Sequence, residues 1–599
     1  MENLQHNGVL IPPRYQGKGF SIKIHDREVK LTTEQEEMAF AWVKKLGTPY
    51  VEDSIFVKNF YYDFSRKLGV NVKQGDIDYS EILNIVEQER KQKAHLSREE
   101  RKQFSSERKR KREANKEKYG YAWLDGERVE IANYVAEPSS IFMGRGKHPI
   151  RGRWKEGPQA EDIVLNLSPN ATRPQGNWKE IIWNPHAMWI ACWQDKLNGK
   201  TKYVWFSDSV SIKQEKDIEK FDRARELGKQ LSRIHRHIGK QLDVDNLKRK
   251  KIATICFLID KLKIRVGDEK DPDEADTVGA STLRSEHIQF NEDGTVAFNF
   301  LGKDSVPHVY CSKLPENVTK NLKEFTTNGD STLFDGIGSQ HVSEFLDEVM
   351  PGLSSKVFRT YYASDAVETK LNKISVDADD AEYVKKHEAT MANLAAAQIC
   401  NHRRTIPKTW QSTLTKKKER LKVLKKLAKT AQTKMKQNMI DQEEKFKIRM
   451  EKRVTKLNST IEKVTEIESK IEKKKKQGKP FASLEKQLNR NHQSILLQKE
   501  QIRERKRKHK EKQRKLRQRL KDREFRDKAT LEKQQLKIKT QKETRDYNLT
   551  TSLKSYIDPR IYRKWGKSVN YDWKKYYPKS LHKKFSWIET KGIQRLEKK

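Results

Sequence analysis

Apolar and polar positions follow different periods along this chain, and each change of period marks a boundary. Phe20-Ser21-Ile22-Lys23-Ile24 alternates and predicts a strand. Glu34 to Leu46 reads as an amphipathic helix, which Thr32 or Thr33 can cap, with Glu36 completing a capping box from Thr33. Tyr79 to Tyr119 reads as one helical stretch whose second half, Arg98 to Lys118, is almost wholly charged. Such a helix belongs in solvent or along something anionic. From Tyr121 to Phe206 short β-type runs follow one another: Val129–Ile131, Ile163–Leu167, Met188–Trp193 and Tyr203–Phe206. Trp178, Trp183, Trp189, Trp193 and Trp205 cluster there and are expected in the core. Helical periodicity returns from Asp217 to Asn401. Within it, Ile252, Ile255, Cys256, Ile259 and Leu262 share one face, and His287–Phe290, Asn291–Gly294 and Val296–Asp304 read as strand, turn and strand.

Between Gln411 and Arg545 the aromatics thin out and Lys, Arg and Glu dominate. Met450, Val454, Leu457, Ile461, Val464, Ile467 and Ile471 recur at spacings of three and four; after Gln477-Gly478-Lys479-Pro480, Leu484, Leu488, Ile495 and Ile502 partly resume the pattern. This predicts a long antiparallel coiled-coil hairpin, with arms of about 65 residues reaching about 95 Å. The seam is nearly absent over Arg503–Arg523, where a single fraying helix is the alternative. Aromatics return after Asp546 (Trp565, Tyr571, Trp573, Tyr576, Tyr577, Phe585, Trp587), predicting a small folded domain that contains Tyr556.

Charge narrows the function. The 599 residues carry a formal net charge of +42, and the pI is about 9.7. An excess of this size implies a polyanionic partner, because neutralising phosphates releases condensed counterions. Nucleic acid fits; a membrane does not, since no long apolar span appears. Asn7–Pro13 is too short and proline-broken for a signal peptide. Cys192, Cys256, Cys311 and Cys400 are scattered, none at metal-ligand spacing, and are expected as buried, reduced thiols of an intracellular protein. Gly144-Arg145-Gly146-Lys147-His148-Pro149 is a basic, turn-rich loop whose Arg145 could enter a DNA groove.

Several blocks in fixed order carry a resemblance: Gly144–Pro149, Asp260–Lys270, Asp276–Gly279, Phe300–Ser305, Lys356–Tyr361, Cys400-Asn401-His402 and Tyr556–Ile561. Together they resemble the eukaryotic-type DNA topoisomerase IB family over almost the whole chain. The resemblance implies a multidomain α+β fold. A mixed α/β cap (1–206) would clamp DNA against a mainly α catalytic core (207–405) related to tyrosine recombinases. A hairpin linker (406–545) would lie beside downstream DNA, and a small α C-terminal domain (546–599) would carry the nucleophile. It implies supercoil relaxation through a 3′-phosphotyrosyl intermediate, with no cofactor, no obligatory metal and no ATP. Tyr556 looks like the nucleophile, Arg265, Arg359 and His402 like the phosphate-holding residues, and Lys303 like the general acid. Arg145, Lys147, Lys213 and Asp304 look like DNA-binding positions. The partner would be double-stranded DNA, gripped by a monomer.

The chemistry is sound on its own terms. Attack by a phenolate on a phosphodiester builds negative charge on the non-bridging oxygens, which two guanidiniums and an imidazole donor can stabilise. The leaving 5′ oxygen needs a proton, which a lysine can supply. Some positions depart from the family. Ser552-Leu553-Lys554-Ser555 exchanges the usual lysine and leucine and puts Ser where Asn is frequent, which bears on camptothecin sensitivity. Met143 replaces a frequent arginine, and the hairpin looks longer than usual. A missing charged N-terminal extension points to an archaeal-like member, nucleoid-associated in the cytoplasm; a eukaryotic origin would place it in the nucleus. Two rivals remain open: a tyrosine recombinase, which uses a similar residue set, and a non-catalytic DNA-binding scaffold.

Overall fold

The computed structural model describes residues 1–270, 274–327 and 332–590, so the last nine positions of the predicted C-terminal segment lie outside the described residues. The architecture is multidomain α+β, and the chain divides into two units. One comprises Met1–Ala378, Ala392–Arg404 and Tyr547 onward; the other comprises Asp379–Met391 and Thr405–Asp546.

In the first unit the N-terminal residues build two cores. Strand Ser21–Ile24 lies between Arg27–Lys30 and Ile77–Asp78, and helices Thr33–Val43, Ser54–Leu68 and Ser80–His95 pack their apolar faces into the same cluster. Trp42 stacks on Phe60 there, with ring centroids 4.4 Å apart. The second core lies on a four-stranded sheet ordered Glu180–Ile182, Ile163–Asn166, Trp189–Gln194, Thr201–Trp205, and on a three-stranded sheet of Leu4–His6, Tyr121–Leu124 and Glu127–Glu130.

Three local expectations are corrected. The helix cap is Thr32 with Gln35, not Thr33 with Glu36. Glu36 is instead buried, and its carboxylate accepts from the Tyr15 hydroxyl (2.6 Å) and from the backbone N–H of Lys18, Gly19 and Phe20 (2.7, 2.9 and 3.1 Å). The single stretch Tyr79–Tyr119 is two helices, Ser80–His95 and Arg98–Tyr119, because Ser97 and Glu100 form a capping box that starts the second. Among the tryptophans, Trp193 is buried, but Trp205 is 41% exposed on the last strand of its sheet.

The third core of this unit is mainly helical. Asn246 caps helix Leu247–Leu262 by accepting from the Arg249 N–H, and the expected face Ile252, Ile255, Cys256, Ile259, Leu262 is buried. Helices Ser211–Gln241 and Ser355–Asn372 pack in the same cluster. Beside them lies a three-stranded meander, Ile288–Phe290, Thr295–Gly302 and Val306–Lys313. The third strand was not anticipated: its alternating run Val306-Pro307-His308-Val309-Tyr310 is half-buried and holds a proline. Cys311 on this strand is exposed, contrary to the expectation of a buried thiol, whereas Cys256 and Cys400 are buried. Helices Leu549–Ser555, Pro559–Ser568, Lys579–Lys584 and Trp587–Thr590 form the C-terminal segment, where Tyr562, Tyr577 and Phe585 are buried and Tyr577 stands edge-on to both of the others.

The second unit contains helices Trp410–Lys476 and Ala482–Glu543, of 67 and 62 residues, about 100 and about 93 Å long at the usual rise. They run antiparallel: Gln541 donates to Trp410 O, Gln513 to Met439 O and Gln498 to Thr460 Oγ1, so partners converge toward the Gly478 turn. Val464, Ile467, Ile471, Ile495 and Ile502 are buried along the seam. The helix stays continuous through Arg503–Arg523. There His509 stands in for an apolar seam residue, stacked on Phe446 at 3.7 Å and paired with Glu443 at 2.7 Å.

Glu36 joins the N-terminal loop to its helix through four donors. Glu36→Ala would strand them, and a loss of at least about 2 kcal/mol of stability is expected in denaturant unfolding of the full chain. A loss below about 0.5 kcal/mol, the usual range for surface changes, would contradict this role.

Candidate active site

Helix Leu247–Leu262 ends where Lys263 takes a left-handed conformation (φ 56°), which turns its carbonyl inward. Helix Ser355–Asn372 carries Arg359, which is 4% exposed. The guanidinium donates to that Lys263 carbonyl (2.5 Å) and to the Cys400 carbonyl (2.7 Å). A buried guanidinium left unpaired would be strongly unfavourable, so these two backbone oxygens fix both its position and its plane. The Arg359 Nε–H has no hydrogen-bond partner among the described residues.

His402 lies against this arginine. It follows Asn401, which is left-handed at φ 50°, and its N–H donates to Ala397 O at 2.8 Å, so the chain turns sharply off helix Glu382–Ile399. Nε2 of His402 is 3.5 Å from an Arg359 terminal nitrogen, and Nδ1 is 2.8 Å from Ser552 Oγ. Burial, together with the positive charges of Arg359 and Arg265, pushes the His402 pKa down to about 3, so the ring is neutral at physiological pH.

Tyr556 completes the group. Its ring centroid is 4.9 Å from that of His402, and the Arg359 guanidinium stands over it at 5.3 Å. The segment is fixed from both sides. Upstream, the Tyr556 N–H donates to Ser552 O, and Asn548 N–H donates to His402 O. Downstream, the Ser364 hydroxyl donates to Tyr556 O and accepts from Asp558 N–H. The buried Asp558 pairs with Arg560 and with Arg225, and Arg560 reaches Asp222 at 2.7 Å. The Asp-Pro step thus does more than end a helix: Asp558 caps Pro559–Ser568 and ties the tyrosine loop to helix Ser211–Gln241.

Arg265 is half-buried two residues beyond the Lys263 turn, close enough for its charge to depress both His402 and His308. Lys303 is exposed at the tip of the meander, where Asp304 and Ser305 both take positive φ. Among the described residues no hydrogen bond or ion pair joins Lys303 to Tyr556; Lys303 lines a cleft of about 620 Å³ with Met143, Arg145, Lys270 and Asp304. Arg145 forms an ion pair with Asp304, and a side-chain carbon at Gly146 would meet Ser305 Oγ, so the glycine loop lies directly on the meander tip. Lys147 is exposed beside them. Lys213 is turned inward: its ammonium donates to Phe206 O at 2.5 Å, and burial lowers its pKa.

Sequence reasoning missed several contributors. Ser552 sits one helical turn before Tyr556. His308 stacks on Phe300, hydrogen-bonds Tyr310 and lies under Gly302, one residue before Lys303. Ser552 lies in a run read only for its departure from the family, and His308 lies in none of the blocks; an i,i+4 search back from the tyrosine would have singled out Ser552.

Comparison with known proteins gives matching results along the chain. Residues 1–206 match the model described as the eukaryotic DNA topoisomerase I DNA binding fragment, 209–436 the catalytic core, and 528–593 the C-terminal topoisomerase domain. The chain is 31% identical over 597 residues to DNA topoisomerase 1 beta of Arabidopsis thaliana, covering 98% of this chain and 58% of that protein. It is 30% identical to DNA topoisomerase 1 of Candidozyma auris, and 30% identical to that of Homo sapiens. Each of these matches covers 98% of this chain, and 81% and 70% of those proteins. The chain thus spans less than two thirds of the Arabidopsis relative. The expectation of an archaeal-like member is not supported: these relatives are eukaryotic, and the DNA-binding-fragment model is matched from residue 1. Among the described residues no helix is long and apolar enough to cross a membrane.

The buried His402 and His6 and the half-buried His308 stay neutral in the fold: His402 with a pKa near 3, and His6 and His308 near 4, each lowered first by desolvation. The unfolded chain protonates them near pH 6.5. Their contribution is therefore full above pH 6.5 and is lost as pH falls toward the folded values, by up to about 1.4 kcal/mol per pH unit for each group. Thermal stability is expected to fall between pH 6.5 and 5, and His402→Gln to make that fall shallower. An unchanged slope in the variant would contradict the buried, neutral state of this ring.

Proposed function

This chain belongs to the eukaryotic DNA topoisomerase I family, and we propose that it relaxes positive and negative supercoils by a type IB reaction. The observation that carries the reading is the fixed guanidinium of Arg359, with a buried Nε–H unspent and with His402 and Tyr556 packed on it. A scissile phosphate docked there satisfies that donor. Arg265 and the His402 Nε2–H would meet the other non-bridging charge, which grows in the five-coordinate state.

Tyr556 Oη attacks phosphorus, its proton passing to solvent, and the bond from phosphorus to the 5′ oxygen breaks as Lys303 protonates that oxygen. The product is a 3′-phosphotyrosine and a free 5′ hydroxyl. The cut strand rotates; the 5′ hydroxyl then attacks phosphorus, returns its proton to Lys303 and expels Tyr556. One phosphoester replaces another at each step, so resealing draws on no ATP. The exposed tip position of Lys303 suits a group that must approach its oxygen through the minor groove.

Double-stranded DNA is the proposed substrate and partner, bound by a monomer. The proposed parts are a clamping cap at 1–206, a core at 207–405, a linker at 406–545 and a C-terminal domain at 546–599. Arg145, Lys147, Lys213 and Asp304 are the proposed DNA positions, with Arg145 leaving Asp304 for the groove. Eukaryotic relatives favour the nucleus as location. The core's kinship to tyrosine recombinases remains part of this proposal.

Plasmid relaxation in EDTA without ATP tests the reading. The full chain is expected to relax both signs of supercoil, Tyr556→Phe to be inactive, and Lys303→Ala to cleave about 10²- to 10⁴-fold more slowly. Relaxation by Tyr556→Phe would refute the assignment. DNA binding without relaxation by any form would favour the scaffold alternative.

A further inference from the structure

A neutral imidazole has one N–H to give, so the nitrogen that carries it decides what His402 can do. Nε2 faces Arg359 and Nδ1 faces Ser552. A guanidinium only donates. Without DNA, the Nε2 lone pair therefore turns to Arg359, and Nδ1 holds the hydrogen and donates it to Ser552 Oγ. A phosphate oxygen held by Arg359 reverses the demand: Nε2 must donate, Nδ1 becomes an acceptor, and its partner must become a donor.

A hydroxyl makes that exchange in place. Rotation about Cβ–Oγ turns it from acceptor to donor while no heavy atom moves. A carboxylate or carbonyl at this point would hold the hydrogen on Nδ1, and a backbone N–H would forbid it there. Ser552 is also well fixed: it is fully buried, on helix Leu549–Ser555, and its carbonyl accepts the N–H of both Tyr556 (2.9 Å) and Ile557 (3.0 Å). One residue therefore holds the histidine ring by its side chain and the nucleophile's backbone by its carbonyl.

We propose that Ser552 is a positioning residue that sets the tautomer of His402, accepting from Nδ1–H in the free protein and donating to Nδ1 once a phosphate takes the Nε2–H. The exchange is proton-neutral: one proton leaves Nδ1 for water and one is taken from water at Nε2. This inference rests on the type IB reading above.

A double-mutant cycle tests it, by single-turnover cleavage of a nicked suicide substrate with the full chain. Glutamine offers an N–H donor but has no tautomers. Ser552→Ala is expected to slow cleavage about 10- to 100-fold with His402 present, and by less than about threefold in the His402→Gln background. DNA affinity is expected to stay within about twofold throughout. Ser552→Cys, which retains a weak donor and acceptor, should fall between serine and alanine, and it carries the test if the alanine variant melts abnormally. Equal losses in both backgrounds, or no loss beside His402, would overturn the assignment. Absence of any covalent adduct from the wild type would overturn the type IB reading itself, and this inference with it.

Discussion

The site depends on a buried guanidinium held by two backbone oxygens. Arg359 sits where an unpaired charge would be strongly destabilising, and the Lys263 and Cys400 carbonyls make its position tolerable. Both carbonyls come from places where the chain leaves a helix: Lys263 is itself left-handed, and Cys400 immediately precedes the left-handed Asn401. Two helix ends and one arginine thus define the point at which the proposed phosphate would dock. On the proposed reading, charge stabilisation is arranged before substrate arrives.

The tyrosine is brought to this point from far along the chain. Its segment docks through His402, Ser364 and the buried Asp558–Arg560 pair, which reaches helix Ser211–Gln241 through Arg225 and Asp222. Backbone hydrogen bonds on both sides of Tyr556 fix where the phenol leaves the chain, which suits a nucleophile that must align with a leaving oxygen. The proposed general acid is arranged differently. Lys303 stands exposed on a strained turn, beside a loop that Arg145 and Asp304 hold by an ion pair. The proposed phosphate-holding arginine is thus buried, and the proposed proton donor is exposed at a tip.

Much of this was legible in the sequence, for identifiable reasons. The face Ile252–Leu262 and the β-turn at Asn291–Gly294 follow from local periodicity and turn chemistry, and both elements appear. The long hairpin was legible because its apolar spacing extends over many turns. Its continuity through Arg503–Arg523 was not, because the aromatic–histidine stack of Phe446 on His509 mimics a seam residue without an apolar letter. Glu36 was misread as a cap since its true role, accepting three N–H groups from a loop some sixteen residues back, is tertiary. Ser552, His308 and the inward turn of Lys213 escaped for the same reason: each is defined by what packs on it.

The central claim is that Tyr556, held on Arg359 and His402, becomes covalently joined to a 3′ DNA end. The most direct test is to trap the complex with denaturant during cleavage of an end-labelled duplex, digest it with trypsin, and locate the nucleotide adduct by mass spectrometry. The account predicts a single modified peptide, with the phosphoester on Tyr556 joined to the 3′ end of the broken strand, so that a 5′-end label stays with the protein. An adduct on another residue, or linkage to a 5′ end, would contradict it.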